Sequence, residues 1–126
     1  MIRLDATRFG PDAVVGLMAF SHLVVVFQFH LLDPAHVQLG ARRPRGNPDW
    51  PEVGMFAQRA RMRPNRLGVS TCLLVAVEGL SLSVRGLDAI DGSPVLDVKP
   101  SMAEFEPPAT AVRQPAWSTE LMRGYS

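Results

Sequence analysis

The sequence predicts a mainly β fold with one or two short helices, either a barrel or a strongly curved sheet. Three observations lead to this prediction. Runs rich in Val, Leu and Phe recur along the chain, 11 prolines and 10 glycines separate them, and neither an internal repeat nor a heptad pattern is present. The 126 residues, of which 47% are hydrophobic and 20% charged, suit one globular domain over residues 1–126.

The first half of the chain predicts one helical segment, one strand and a long loop. Residues 11–21 begin with Pro11, a favourable first-turn residue, which indicates one or two helical turns. Residues 22–32 (HLVVVFQFHLL) are typical of a long, largely buried strand. Four prolines between residues 33 and 53 exclude regular structure there, and a loop of this length is usually functional or mobile.

The second half predicts a hairpin. Residues 54–68 start like a strand and become an arginine-rich turn, and residues 69–79 predict a second buried strand. Residues 80–87 alternate between apolar and polar side chains, as a half-buried strand does. Glu78-Gly79 between these two runs fits a hairpin turn.

Three aspartates lie beside the predicted core in residues 86–100 (GLDAIDGSPVLDVKP). Carboxylates are costly to bury without a partner, so they need a turn, a partner or a function. The pattern places Asp88 and Asp91 in a turn, and it places Asp97 on the solvent face of a short strand, toward an arginine or Lys99.

The C-terminal segment differs in composition from the core. Residues 101–126 are rich in proline and acidic side chains and predict a tail or docking segment, with a short helix within residues 115–125.

The basic residues are clustered. Lys99 is the single lysine, and seven of the twelve arginines lie between residues 42 and 66, although the net charge is +1. This clustering favours a surface for phosphates or carboxylates, which suit the guanidinium fork; an arginine-biased composition in a solvated loop is the alternative.

Several classes of protein are not indicated. The longest apolar run, Leu23–Phe27, is far too short to cross a bilayer, and no secretory signal is visible in the first ten residues. A lone cysteine, Cys72, excludes an intrachain disulfide and points to a cytoplasmic protein with a buried thiol. His30 and His36 lack the additional ligands that zinc requires, so no metal site is predicted.

Three segments together resemble the TrmO (TsaA-like) family of tRNA methyltransferases that use S-adenosylmethionine. The resemblance spans about residues 14–100, in order and with matching spacing, and its most specific part is the segment 86–100. The matching residues are Phe20-Ser21-His22-Leu23, Phe27-Gln28-Phe29-His30, Phe56-Ala57-Gln58-Arg59, Arg63-Pro64-Asn65, Leu67-Gly68 and Gly86–Pro100.

The resemblance implies a dimeric single-sheet β-barrel that binds S-adenosylmethionine near the dimer interface. It also implies methylation of the exocyclic amine of a threonylcarbamoyl-modified adenosine beside the tRNA anticodon. The cofactor contacts that it implies are His30, Leu31, Arg59, Val69, Asp88, Ala89, Ile90 and Asp91. The residues expected to face the substrate are Arg61, Arg63, Asn65 and Arg66, and the candidates for a catalytic base are Asp91 and His30.

The sequence also departs from the family pattern. The chain begins after the first strand and the Pro-x-Gln stretch of the pattern, so we expect one barrel edge to be supplied differently, by a second subunit or by the tail. Substitutions cluster in the arginine-rich turn, at Gln58, at Ala60-Arg61 and at Arg66. Two alternatives therefore stay open: a methyltransferase acting on a small-molecule amine, and a non-catalytic barrel that binds nucleotides or RNA.

Overall fold

The computed structural model describes residues 1–31, 35, 37, 39–89 and 91–123. The chain divides into two compact units, of which the first comprises residues 1–31 and 65–102, and the second residues 32–64 and 103–126. A single domain over the whole chain stays a prediction. None of the described helices is long and apolar enough to span a membrane.

Strands dominate the first unit, and short elements make up the second. The strands are β1 (Ile2–Arg3), β2 (His22–Gln28), β3 (Ala41–Arg42), β4 (Val53–Gly54), β5 (Leu67–Glu78), β6 (Ser81–Arg85) and β7 (Val95–Pro100), and the α-helix is α1 (Ala116–Leu121). The remaining helical elements are 3₁₀ turns at Pro11–Val14, Leu17–Ala19, Pro44–Gly46, Met55–Ala57, Ala103–Phe105 and Ala109–Ala111.

The first unit contains a five-stranded antiparallel sheet in the order β1-β6-β5-β2-β7. Alternate side chains of β2 point to one face, and Leu23, Val25 and Phe27 are buried there. They pack with buried residues of the neighbouring strands, including Cys72 of β5 and Leu82 of β6. The predicted strand 22–32 is therefore confirmed over residues 22–28 only, and a period of two places every second residue there in the core rather than burying the whole strand.

The β5–β6 hairpin follows the prediction. β5 ends at Glu78, which pairs with Ser81, and Gly79 in the turn has a φ of 59°. Glycine adopts this left-handed conformation without the steric cost that a Cβ imposes. An irregularity in the register between Leu74 and Ala76 then lets Val77 return to the core side opposite Leu82.

The sheet curls into a half-barrel rather than a closed barrel. Among the described strands, β1 pairs with β6 alone and β7 pairs with β2 alone. Both edges line one cleft of about 970 Å³, formed by residues 1–5, 8–9 and 91–98. The expected barrel is therefore observed as an open, curled sheet with two edges, because no described strand joins β1 to β7.

Three local predictions can also be compared with the structure. Residues 54–68 start as a strand at Gly54 alone, where β4 ends, and a 3₁₀ turn follows. The loop over residues 33–53 is not wholly irregular, because β3 pairs with β4. The predicted helical segment 11–21 forms two 3₁₀ turns, and β1, which the sequence did not predict, pairs with β6.

Candidate functional site

Three segments of the first unit meet at the C-terminal end of β2. The amide of Phe29 donates a hydrogen bond to the carbonyl of Arg66, just before β5, at 2.8 Å. The amide of Gln28 donates to the carbonyl of Pro94, just before β7, at 3.0 Å. The end of β2 is therefore held between the start of β5 and the turn that precedes β7.

His30 lies at this junction. Its side chain is half-buried, its Nδ1 is inaccessible to solvent, and no described residue lies within hydrogen-bonding distance of that atom. A Cβ added to Gly92 would lie 3.9 Å from Nε2, so the ring lies beside the turn before β7. A buried polar atom without a partner is costly, and such an atom beside a turn indicates a ligand position.

The turn before β7, residues 86–94, carries the predicted aspartates. Gly86 and Gly92 both have a φ of 85°, which allows the chain to reverse here. The amide of Asp88 donates to the Ser70 hydroxyl of β5 at 3.3 Å. Asp91 is exposed, and Ile90, an expected cofactor contact, lies outside the described residues.

Aromatic rings form the floor under the start of β5. The Phe27 and Phe29 rings contact each other edge to face, with their centroids 5.2 Å apart. A Cβ at Gly68 would lie 2.6 Å from Cζ of Phe27 and 2.9 Å from Cζ of Phe29. Glycine is therefore required here, because the rings occupy the volume that a side chain would need.

Apolar side chains at the same end of the sheet remain exposed. Leu31 is 67% exposed and Val69 is 49% exposed. Ala89 in the turn is half-buried and packs against the edge of the core. These three residues provide the apolar surface that a nucleoside base would need.

The second unit carries six of the seven clustered arginines, and their environments differ. Arg63 donates to the carbonyls of Met55 and Gln58 and lies over the Phe56 ring, with Cζ 5.9 Å from its centroid. Arg59 and Arg61 are exposed. Arg63 therefore stabilises the loop, and Arg59 and Arg61 present their side chains at its surface.

The predicted site residues thus fall into two sets. The first unit brings together His30, Val69 and the turn that bears Asp88, and the exposed Asn65 and half-buried Arg66 precede β5 in the same unit. The second set, Arg59, Arg61 and Arg63, belongs to the other unit.

Sequence reasoning missed Ser70 and Gly92, whose contacts position the turn. The position of Gly92 beside His30 could not be predicted, because the sequence shows only that residues 91–92 form a turn.

Three described groups in the first unit have shifted pKa values. Hydrogen bonds from the Thr7 hydroxyl and amide lower the pKa of Asp5. Lys99 lies 2.8 Å from Asp97 and, by hydrogen bonding to its carboxylate, lowers the pKa of that group; the Val98 amide adds a hydrogen bond of 2.8 Å. Burial raises the pKa of the Cys72 thiol. The predictions that Asp97 faces solvent beside Lys99 and that Cys72 is buried are both confirmed.

A metal centre is not apparent in the part of the chain that the structure describes, since no three His, Cys, Asp or Glu side chains there could hold an ion together. His36, considered with His30 as a zinc ligand, lies outside that part.

Comparison with known families identifies the fold and its relatives. The family model for the tRNA-methyltransferase O (TrmO) N-terminal domain matches residues 1–106. The chain belongs to this family. The match confirms the resemblance seen in the sequence and places the last 20 residues, including α1, beyond the family domain.

Relatives of this TrmO-family chain include enzymes and a solved structure. The tRNA (adenine(37)-N6)-methyltransferase of Escherichia coli (strain K12) is 41% identical over 108 residues, covering 79% of this chain and 45% of that protein. A probable S-adenosyl-L-methionine-binding protein of Methanothermobacter thermautotrophicus is 44% identical over 96 residues, covering 75% and 65%. The crystal structure of TrmO from Pseudomonas aeruginosa superposes with a TM-score of 0.67 at 31% identity, covering 87% and 44%. The chain therefore spans less than two thirds of the length of each of these TrmO-family relatives.

Proposed function

We propose that this chain is an S-adenosylmethionine-dependent N-methyltransferase domain whose methyl acceptor is a modified adenosine in tRNA. The observation that carries the proposal is the buried, unpartnered Nδ1 of His30 beside the turn 86–94. In a chain of the TrmO family, a nucleoside cofactor is the ligand that best explains such an atom. The printed names of the relatives, which include a tRNA methyltransferase and a cofactor-binding protein, support the same function.

The residues of this junction suit the parts of the cofactor. His30 offers a ring nitrogen to a polar group, and the carboxylates of Asp88 and Asp91 accept hydrogen bonds from amino or ribose hydroxyl groups. Leu31, Val69 and Ala89 offer apolar surface to the base. The family resemblance also implies cofactor contacts from Ile90, which lies outside the described residues, and from Arg59, which belongs to the second unit and whose guanidinium suits a carboxylate.

Catalysis then depends on alignment and on removal of one proton. The cofactor, when bound, supplies an electrophilic methyl group. The protein holds the acceptor amine in line with it, which lowers the barrier by several kcal/mol in well-oriented systems. Of the two candidate bases, His30 is better placed than the exposed Asp91, because imidazole is the side chain most often used for proton transfer and this one is partly shielded from water.

In the second unit we assign tRNA backbone contacts to the arginine-bearing loop, residues 41–63, and in the first unit to the residues just before β5. Arg61 and Arg66, with Asn65, provide donors for phosphate oxygens. Arg63 supports them by binding loop carbonyls rather than by contacting the substrate directly.

Calorimetric titration with S-adenosylmethionine and S-adenosylhomocysteine tests the cofactor assignment. We expect His30→Ala to weaken binding by about tenfold or more, as loss of a buried hydrogen bond does. His22→Ala is the matched control, because His22 lies at the opposite end of β2, is exposed and already contacts the Ser21 hydroxyl at 2.6 Å. Absence of heat with the unmodified protein would exclude the proposed function.

The salt dependence of tRNA binding tests the substrate assignment. If three or four phosphates are neutralised, log affinity should fall against log salt with a slope of roughly −2 to −4. Transfer of labelled methyl from the cofactor to tRNA completes the test. Transfer to a small amine with no dependence on salt would favour the small-molecule alternative, and tRNA binding without transfer would favour a non-catalytic RNA-binding barrel.

We further propose that the chain forms a homodimer and acts in the cytoplasm, where its tRNA substrate is found. The support for a dimer is the pair of sheet edges at β1 and β7, which expose backbone groups that a second copy can pair. Light scattering at micromolar concentration should give twice the mass of 13.8 kDa. A monomer under those conditions would refute the dimer and leave the enzymatic proposal intact.

A further inference from the structure

The C-terminal helix α1 is short but well supported at its start. The Gln114 amide donates to the hydroxyls of Ser118 and Thr119 at 2.9 and 3.3 Å. The Ser118 hydroxyl donates to the Pro115 carbonyl at 2.7 Å. A helix of six residues is not stable in isolation, so α1 depends on packing within its own unit.

One contact joins α1 to the arginine-bearing loop. The indole N–H of Trp50 donates to Oε2 of Glu120 at 3.0 Å, across 70 residues of sequence. Trp50 in the loop and Trp117 in the helix are both half-buried, and both belong to the second compact unit. A hydrogen bond to a carboxylate is stronger than one between neutral groups, which makes this contact a specific attachment of the helix.

Trp50 is also fixed through its backbone. The Arg43 guanidinium donates to the carbonyl of Trp50 at 2.5 Å and to that of Pro48 at 3.0 Å. The Trp50 amide donates to the carbonyl of Asn47 at 3.2 Å. The Trp50 side chain therefore binds the helix, while the Trp50 main chain is bound by residues of the loop.

The loop transmits this attachment to the exposed arginines. The Gln58 side chain donates to the carbonyls of Arg42 and Val53, which ties the segment after β4 to both strands of the β3–β4 pair. The Arg63 guanidinium binds the carbonyl of Gln58. Arg59 and Arg61 thus lie on a short segment whose two ends are anchored.

We propose that α1 is a clasp that holds the arginine-bearing loop in the shape that meets tRNA, with Trp50 and Glu120 as positioning residues. The part of this inference that concerns tRNA rests on the proposed function. The helix lies beyond the 1–106 family match, so the clasp is a feature of this chain outside the family domain.

The test compares Trp50→Phe, which removes the N–H donor, and Glu120→Ala, which removes the acceptor. We expect each to weaken tRNA binding by about fivefold, the low end of typical coupling between sites. The loss should appear in KM for tRNA and leave kcat close to that of the unmodified protein. Glu120→Gln keeps an acceptor oxygen and should restore most of the affinity.

Two controls make the outcome decisive. Glu104→Ala removes the same charge from an exposed position outside α1 and should bind tRNA normally. Limited trypsin digestion reads the loop directly: both clasp variants should be cleaved faster after Arg59 and Arg61 than the unmodified protein. If the unmodified protein binds no tRNA, the proposed function fails while the digestion still tests the clasp. Unchanged cleavage in both variants, or an equal loss of affinity in Glu104→Ala, would overturn the clasp.

Discussion

Gly68→Ala should destabilise the first unit even though it adds only one methyl group. The new Cβ would lie 2.6 and 2.7 Å from two atoms of the Phe27 ring, about 1 Å inside the optimal carbon–carbon distance. Phe27 is 1% exposed and cannot move into solvent. Overpacking of this kind costs about 1–3 kcal/mol.

The net effect is smaller than the clash alone. Gly68 has no positive φ, so alanine fits the backbone conformation there. Alanine also lowers the conformational entropy of the unfolded chain, which stabilises the folded state by about 0.4–1 kcal/mol. We therefore expect the free energy of unfolding to fall by roughly 1–2 kcal/mol, seen in urea titration as a lower midpoint with an unchanged m value. Gly54→Ala is the matched control, because Gly54 has a φ of −61° and no atom within 4 Å of its added Cβ. It should be neutral or slightly stabilising.

A double variant tests the cause. Phe27→Leu removes the two nearest ring atoms that the new Cβ meets and leaves Cζ of Phe29 at 2.9 Å, so Phe27→Leu and Gly68→Ala together should cost clearly less than the sum of the two single changes. Strict additivity, or a Gly68→Ala protein as stable as the unmodified one, would refute the packing argument.

Three further predictions follow from burial and charge. Leu82→Ala should lower the free energy of unfolding by about 2–5 kcal/mol in urea titration, because Leu82 is fully buried, and near-neutral behaviour would contradict its place in the core. The Cys72 thiol should react with a thiol reagent at pH 8 only as fast as the sheet opens, because it is buried and its pKa is raised; rapid labelling of the native protein would argue against this. Lys99 holds the pKa of Asp97 below 3.8, so the stability that this pair contributes is present above that pH and is lost as the pH falls further. Asp97→Asn should flatten that part of an acid-unfolding curve.

The long strands could be predicted from the sequence because runs rich in Val, Leu and Phe favour strands. The face of β2 that meets the core could not be predicted, since residues 23–27 are all apolar although Leu23, Val25 and Phe27 are the buried ones. β1 could not be predicted, because two residues are too few to show a pattern. Its pairing partner, β6, also lies far along the chain. An incomplete barrel edge was expected from the family pattern, but which strands form the edges depends on long-range pairing that the local sequence does not reveal.

The candidate site was predictable in part. The turn with Asp88 and Asp91 was located correctly because glycine and aspartate mark turns. The burial of His30 was not foreseeable, since it depends on where the turn around Gly92 returns in space. The arginines show the same limit: Arg43 and Arg63 bind loop carbonyls, and nothing in their sequence positions separates them from surface arginines.

The division of the chain into two units gives each unit its own natural spectroscopic reporter. Both tryptophans, Trp50 and Trp117, lie in the second unit, and the single thiol, Cys72, lies in the first. Intrinsic fluorescence of the unmodified protein therefore reports the arginine-bearing loop and α1, whereas thiol labelling reports the sheet. Recording both during one denaturant titration would reveal, without any substitution, whether the half-barrel and the loop unit melt as one cooperative body or in succession.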